Sequence, residues 1–284
     1  MNENQDLIKK IQMSFHRLSK GQKMIAQYIM ENYDKAAFMT AAKLGEMVGV
    51  SESTVVRFAN VLNFDGYPHM QRELQEMIRT RLTTVQRIEM SADYSSEENT
   101  VKKVLKADID NLRVTMESID FKVFEEAVKA IITAKNIYIV AMRSSTTLAD
   151  FLAFYLNLIR NNVFVTSRSV SETFDILFRV NKDDLVIGIG FPRYSSKTIE
   201  ALDYAKSQGA KILAITDSLI SPLVSYADFT LTAKSNMESF VDSLVAPLSL
   251  LNALIIAVGV KEKRKVATTF GKLEEIWEKY KIYS

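Results

Sequence analysis

Residues 51–60, SESTVVRFAN, place hydroxyls, a guanidinium and a carboxamide where one helix face could present them together. At 100° per residue Ser53, Arg57 and Asn60 share a face, with Thr54 beside them. Val55, Phe58, Ala59 and Leu62 fall at i, i+3, i+4 and i+7 and form the opposite, apolar face. The polar face carries the residue types that read duplex DNA. Arginine can pair bidentately with guanine and asparagine with adenine, while Ser and Thr reach phosphates or base edges. Ser51 is expected to cap this helix. A second chemistry is written in residues 141–147, AMRSSTT, and 188–196, GIGFPRYSS. Each follows an apolar strand-like run and supplies hydroxyls where a helix would begin, together with one arginine. Helix N-termini favour anions, and Arg143, Ser144, Ser145, Arg193, Ser195 and Ser196 could add charge-assisted hydrogen bonds to a phosphate or carboxylate. Neither segment is a P-loop or a GxGxxG, so nucleotide cofactors are not expected.

Absences narrow the field. The chain has no cysteine, which removes thiolate catalysis, disulfides and cysteine-based zinc sites. Its two histidines, His16 and His69, lie in the first quarter, too few for a metal site and unavailable to the rest of the chain for proton transfer. No cofactor or metal is expected. Formal charge is +2, all of it in residues 1–90, where twelve Lys/Arg meet ten Asp/Glu; residues 91–284 hold 24 of each. So small an excess means that DNA affinity should depend on a dimer reading two half-sites, since affinity follows the phosphates neutralised. Lys9, Lys10, Arg17, Lys20, Lys23, Arg72, Arg79 and Arg81 are the candidate backbone contacts. The polar N-terminus lacks an apolar signal region. The run 244–260 is too short and too interrupted by Pro247, Ser249 and Asn252 for a membrane span, and reads as a buried helix. A cytoplasmic protein is expected.

These groups need elements to hold them. At 284 residues and 48% hydrophobic composition the chain suits two domains with sizeable cores. Thr40 is a plausible cap for a first helix to Val48, with Leu44, Met47 and Val48 as its apolar stripe. Gly49 offers the positive φ that ends it, and Gly45 is small where the two helices would approach. That is a helix-turn-helix. Further on, strand-like runs at 137–141, 163–167, 185–190, 211–216 and 228–233 alternate with helical stretches near 145–160, 170–180, 196–208 and 218–226. The pattern predicts a doubly wound α/β domain with a five-stranded parallel sheet. An amphipathic helix near 263–280 closes the chain. The expected division is a helix-turn-helix domain at 1–78, a partly helical linker at 79–106 and a sheet domain at 107–284.

The run IAQYIMENYDKAAFMTAAKLGEMVGVSESTVVRFANVLNFDGYPHMQREL (25–74) resembles the DNA-binding domain of RpiR-type transcriptional regulators, GVSESTVVRF being its most specific piece. IYIVAMRSSTTLADFLA, DLVIGIGFPRYSSKTIEALDYAKSQGAKILAITDS and SPLVSYADFTL resemble a sugar isomerase (SIS) domain. The resemblance implies a dimeric or tetrameric regulator whose SIS domain binds a phosphorylated sugar as effector. By position it puts Ser145 where the first turn has a phosphate-binding serine, and Ser195 where the second has Ser or Thr. Related domains often have Gly-x-Gly-x-Ser at the first turn, where this chain has Ala141 and Arg143. The Ser-x-Ser-Gly of the second turn is replaced by Gly190, Phe191, Pro192 and Arg193. Either the two arginines grip the anion, or the effector is not an ordinary sugar phosphate. The competing expectation is an SIS-type phosphosugar isomerase. It needs a base, for which Glu172, Glu200, Glu238 and Asp242 are the candidates, each more readily read as a surface residue. The regulator is the expected function.

Overall fold

The computed structural model describes residues 7–81, 97–166, 170–236 and 241–283. The chain divides into two compact units, Met1–Glu89 and Met90–Ser284. Of the expected linker, residues 79–81 close one helix, 97–106 open another, and 82–96 lie outside the described residues.

The first unit is helical: α1 (Leu7–Ser14), α2 (Lys20–Glu31), α3 (Tyr33–Ala36), α4 (Ala41–Val48), α5 (Glu52–Val61) and α6 (Tyr67–Arg81). Ser19 opens α2 with a reciprocal capping box: its hydroxyl accepts from Gln22 N–H, and the Gln22 side chain accepts from Ser19 N–H at 3.0 Å. Ile25, Ile29, Leu44, Val55, Phe58 and Met70 are fully buried at the centre. The buried Tyr67 hydroxyl donates to Met39 O at 2.7 Å, and Gln71 and Gln75 donate to Ala37 O, so α6 satisfies the carbonyls left bare where α3 ends. Burial pushes the Tyr67 hydroxyl up to about 12, which keeps it a donor across the physiological range.

The second unit begins with α7 (Glu97–Ser118) and α8 (Phe121–Thr133). Strands β1 (Ile137–Ala141), β2 (Val163–Val165), β3 (Leu185–Ile189), β4 (Lys211–Thr216) and β5 (Phe229–Thr232) follow, with α9 (Thr146–Ile159), α10 (Val170–Leu177) and α11 (Ser196–Ser207) between them. Helices α12 (Val245–Lys261) and α13 (Lys263–Tyr280) end the chain. The sheet is wholly parallel in the order β2-β1-β3-β4-β5. Alternation along the strands divides their side chains between two cores. Ile137, Ile139, Leu185, Ile187 and Leu213 meet α8, α9 and α12, while Tyr138, Val140, Val186, Ile212 and Ala214 meet α10 and α11. Helices therefore cover both faces, and strands buried on both sides read as unbroken apolar runs.

Two expectations about the helices of the second unit fail. The stretch 218–226 is not an α-helix; only a 3-10 turn at Val224–Tyr226 forms there. Pro222 brings no N–H, and Ser221 and Ser225 hydroxyls engage local groups, so a helical ladder has little to build on. The apolar helix α12 is buried on one side only: Leu250, Leu251, Leu254 and Val258 are covered, whereas Ile256 and Val260 are exposed. No single helix among the described residues is long and apolar enough to cross a membrane.

Candidate functional site

In the first unit Thr40 Oγ1 accepts from Lys43 N–H at 3.1 Å and starts α4. Gly49, at φ 76°, ends it in the left-handed region. A Cβ on Gly45 would stand 2.7 Å from Val50 O, so only glycine lets the two helices meet this closely. The buried face of α4 is Ala41, Leu44 and Gly45; Met47, expected in the apolar stripe, is half exposed because it stands off that face. Ser51 takes the backbone conformation of an N-cap, yet its side chain caps nothing. Its hydroxyl instead joins Ser53 and Thr54 in a small network, 2.9 Å to each.

Helix α5 buries Val55, Phe58 and Ala59 and exposes Ser53, Arg57 and Asn60, with Thr54 half-buried. The Arg57 guanidinium has no hydrogen bond or ion pair among the described residues. Asn60 is partly committed: its Oδ1 accepts from Gly66 N–H at 3.2 Å and steadies the turn into α6. Sequence reasoning passed over Val56, which is exposed on the same face and could meet a thymine methyl; its angle on the helix was the available signal. Among the candidate backbone contacts, Lys10 lies over the Phe64 ring, Lys23 over Phe15, Arg17 Nε donates to His16, and Arg72 Nε donates to Pro68 O. Lys20 is exposed at the start of α2. The side chains of Lys9, Arg79 and Arg81 lie outside the described residues. His69 accepts from Asp65 N–H.

In the second unit β1 and β3 are neighbours, and their chains leave in opposite directions. After β1 the chain turns through α9 on one face to β2; after β3 it turns through α11 on the other face to β4. This is the topological switch point, where open α/β sheets leave a crevice for ligands beyond the strand ends. The two candidate turns flank it. The strands are paired up to Ala141 opposite Ile189, so the turns start about 5 Å apart.

Both arginines of these turns have left-handed backbones, Arg143 at φ 59° and Arg193 at φ 63°. An L-residue adopts that conformation at a cost, and such strain gathers at ligand sites. Arg143 and Ser144 are exposed, and Ser145 is buried at the mouth of α9. The first turn runs through a 3-10 segment, Arg143–Ser145, whose exit is fixed by Thr146 Oγ1 donating to Arg143 O at 2.7 Å. Neither serine caps α9, so its first N–H groups keep no side-chain cap. In the second turn Ser195 does cap α11, accepting from Lys197 N–H, while Ser196 and Arg193 are exposed.

Three residues absent from the sequence reading support this end of the sheet. Tyr194 donates to Asp217 Oδ1 at 2.6 Å, fastening the second turn to the end of β4. Asp217 is buried, and its Oδ2 has no partner among the described residues; nor has the buried Thr198 Oγ1 in the first turn of α11. Linear sequence holds no signal for a contact across 23 positions. Of the candidate bases, Glu200 is exposed in an ion pair with Lys197, Glu172 is exposed and Asp242 half-buried, and Glu238 lies outside the described residues.

Comparison with known proteins divides the chain in the same way. Residues 5–81 match the helix-turn-helix domain of the rpiR family, and residues 130–257 match the SIS domain. An HTH-type transcriptional regulator of Haemophilus influenzae is 26% identical over 94% of both chains. The sugar isomerase domain of an RpiR transcription factor from Sphaerobacter thermophilus is 29% identical with a TM-score of 0.59, covering 61% of this chain and 97% of that one. The NanR protein of Vibrio vulnificus, solved in complex with ManNAc-6P, shares the fold over 95% of this chain and 99% of its own, at 20% identity and a TM-score of 0.59.

Proposed function

With an rpiR-family helix-turn-helix ahead of an SIS domain, the chain belongs to the RpiR-type transcriptional regulators, and we propose that a phosphorylated sugar or related anion governs its hold on an operator. Helix α5 enters the major groove, with Ser51, Ser53, Thr54, Arg57 and Asn60 toward the DNA. Its N-terminal residues reach base edges first. Arg57 is the main base reader, and Asn60 contributes what its bond to Gly66 leaves free. The effector's anionic group lies at the switch point between the β1 and β3 turns, contacted by Arg143, Ser144, Ser145, Arg193, Ser195 and Ser196. One observation carries this reading: two arginines hold glycine-like backbones on the two turns that flank the crevice. Both arginines stand where related domains have glycine, and their guanidiniums make up for the hydroxyls missing from the second turn.

The chain acts in the cytoplasm, where its DNA is, as a homodimer or homotetramer, and it is not an enzyme. An isomerase would need a base beside the reacting carbon, and no observation favours Glu172, Glu200 or Asp242 for that work. Coupling requires the effector to prefer one arrangement of the regulator over another. Arg193→Ala tests the site: operator affinity should be unchanged while its response to sugar phosphates disappears. A variant with a normal response sinks the arginine grip, and turnover of any sugar phosphate by the full chain makes the protein an isomerase instead.

A further inference from the structure

Helix α7 (Glu97–Ser118) meets its own domain through polar groups. The side it turns to its own domain carries Asn111 and Thr115, 1% and 5% exposed, both hydrogen-bonded to the segment after β5. The Asn111 side chain exchanges two bonds with the Asn236 backbone, Thr115 Oγ1 accepts from Lys234 N–H at 2.8 Å, and Asp108 accepts from the Ser243 hydroxyl. An apolar flank lies beside that side, its centre about 100° further round the helix. Val101, Leu105, Ile109 and Met116 are each more than half exposed. With Leu112 they fall within about 80° of arc at 100° per residue, a single stripe along the helix. A stripe of this kind on an otherwise polar helix marks an interface.

The stripe also says what covers it. Its gaps, 4-4-3-4, read almost the same in both directions and repeat after eleven residues, which keeps the stripe nearly parallel to the axis. Charge is divided along the helix. The first half has Lys102, Lys103 and Lys106 against Glu97 and Glu98; the second has Arg113 against Asp108, Asp110 and Glu117. The halves thus carry +1 and −2. A parallel partner would set like charge against like, whereas an antiparallel copy sets each basic half against an acidic one. We infer that α7 packs antiparallel on the α7 of a second copy, about a two-fold axis near Ile109. Val101 then meets Met116, and Leu105 meets Leu112, of the other chain. The pairing is isologous and closes as a dimer.

This rests on the dimer proposed above and is separable from it. Because the chain has no cysteine, every thiol in these variants is an introduced one. Ile109→Cys should form a covalent dimer under mild oxidation, since Cα atoms beside a two-fold axis fall within disulfide reach of about 7 Å. Val101→Cys alone should not, and adding Met116→Cys to it should restore the covalent dimer. Ser225→Cys, exposed elsewhere on the domain, sets the background from random collision. Leu105→Asp should convert the full chain from dimer to monomer by sedimentation velocity with its circular dichroism unchanged. Cross-linking of Val101→Cys as readily as Ile109→Cys overturns the antiparallel order. A dimer that survives Leu105→Asp and gives no Ile109→Cys cross-link overturns the α7 pairing while leaving the dimer standing. A wild-type chain that sediments as a monomer overturns both.

Discussion

Replacing Arg143 by glycine should stabilise the second unit and abolish its hold on an anion. Arg143 sits at φ 59° and its side chain makes no hydrogen bond or ion pair among the described residues, so the strain is not repaid locally. The left-handed region costs an L-residue about 1–2 kcal/mol. Glycine removes that cost but gains about 0.4–1 kcal/mol of freedom in the unfolded chain. Alanine is the control, because it deletes the guanidinium and keeps a Cβ on the same backbone. The glycine variant should therefore exceed the alanine variant by about 0.5–1 kcal/mol, or about 1–4 °C in Tm for a unit of this size. Calorimetry of the two full-length variants measures the difference. In the same experiment, the Tm gain produced by a sugar phosphate should be lost in both. An alanine variant as stable as the glycine variant would refute the assignment of strain. A glycine variant that keeps the ligand-induced gain would refute the role of the guanidinium.

Arg57→Ala should weaken specific DNA binding by about 1–3 kcal/mol if the guanidinium meets a guanine, and a gel-shift titration with unchanged affinity would remove it from the recognition set. Gly45→Ala drives a methyl to within 2.7 Å of Val50 O. It should cost about 1–3 kcal/mol in urea unfolding of the first unit and lower operator affinity as α4 and α5 part; wild-type stability would contradict the close approach. Tyr194→Phe removes the 2.6 Å bond to Asp217 Oδ1 and leaves that oxygen the longer contact with the Thr216 hydroxyl, at 3.3 Å, among the described residues. It should destabilise the second unit by about 1–3 kcal/mol and blunt the effector response, and full retention of both would show that the tether to β4 is idle.

Much of this was legible in the sequence because burial dictates it. The strands are continuous apolar runs since helices cover both faces of the sheet, and β1 and β4 coincide with 137–141 and 211–216. Gly45 and Gly49 announced the close approach and the left-handed turn, and both do that work. What escaped depends on partners distant in sequence or on backbone conformation. Tyr194 and Asp217 meet only once β3 and β4 lie side by side. The arginines read as lost glycines, and only the structure reveals that the glycine backbone persists beneath them. The stretch 218–226 lies between two parallel strands where a crossover helix is expected, yet Pro222 and competing serine hydroxyls divert it. The exposure of one face of α12 had no signature, since its sequence is apolar on every side.

The central claim, a DNA-binding regulator under the control of an anionic sugar, is tested most directly by selecting duplexes from a random library with the full-length protein. The selected sequence is then titrated by fluorescence anisotropy with and without a panel of phosphorylated sugars. Enrichment of one sequence, with an affinity that changes for one phosphorylated sugar in wild type but not in Arg193→Ala, is the predicted result. Failure to enrich any sequence, or enrichment with an affinity that no member of the panel alters, would contradict it.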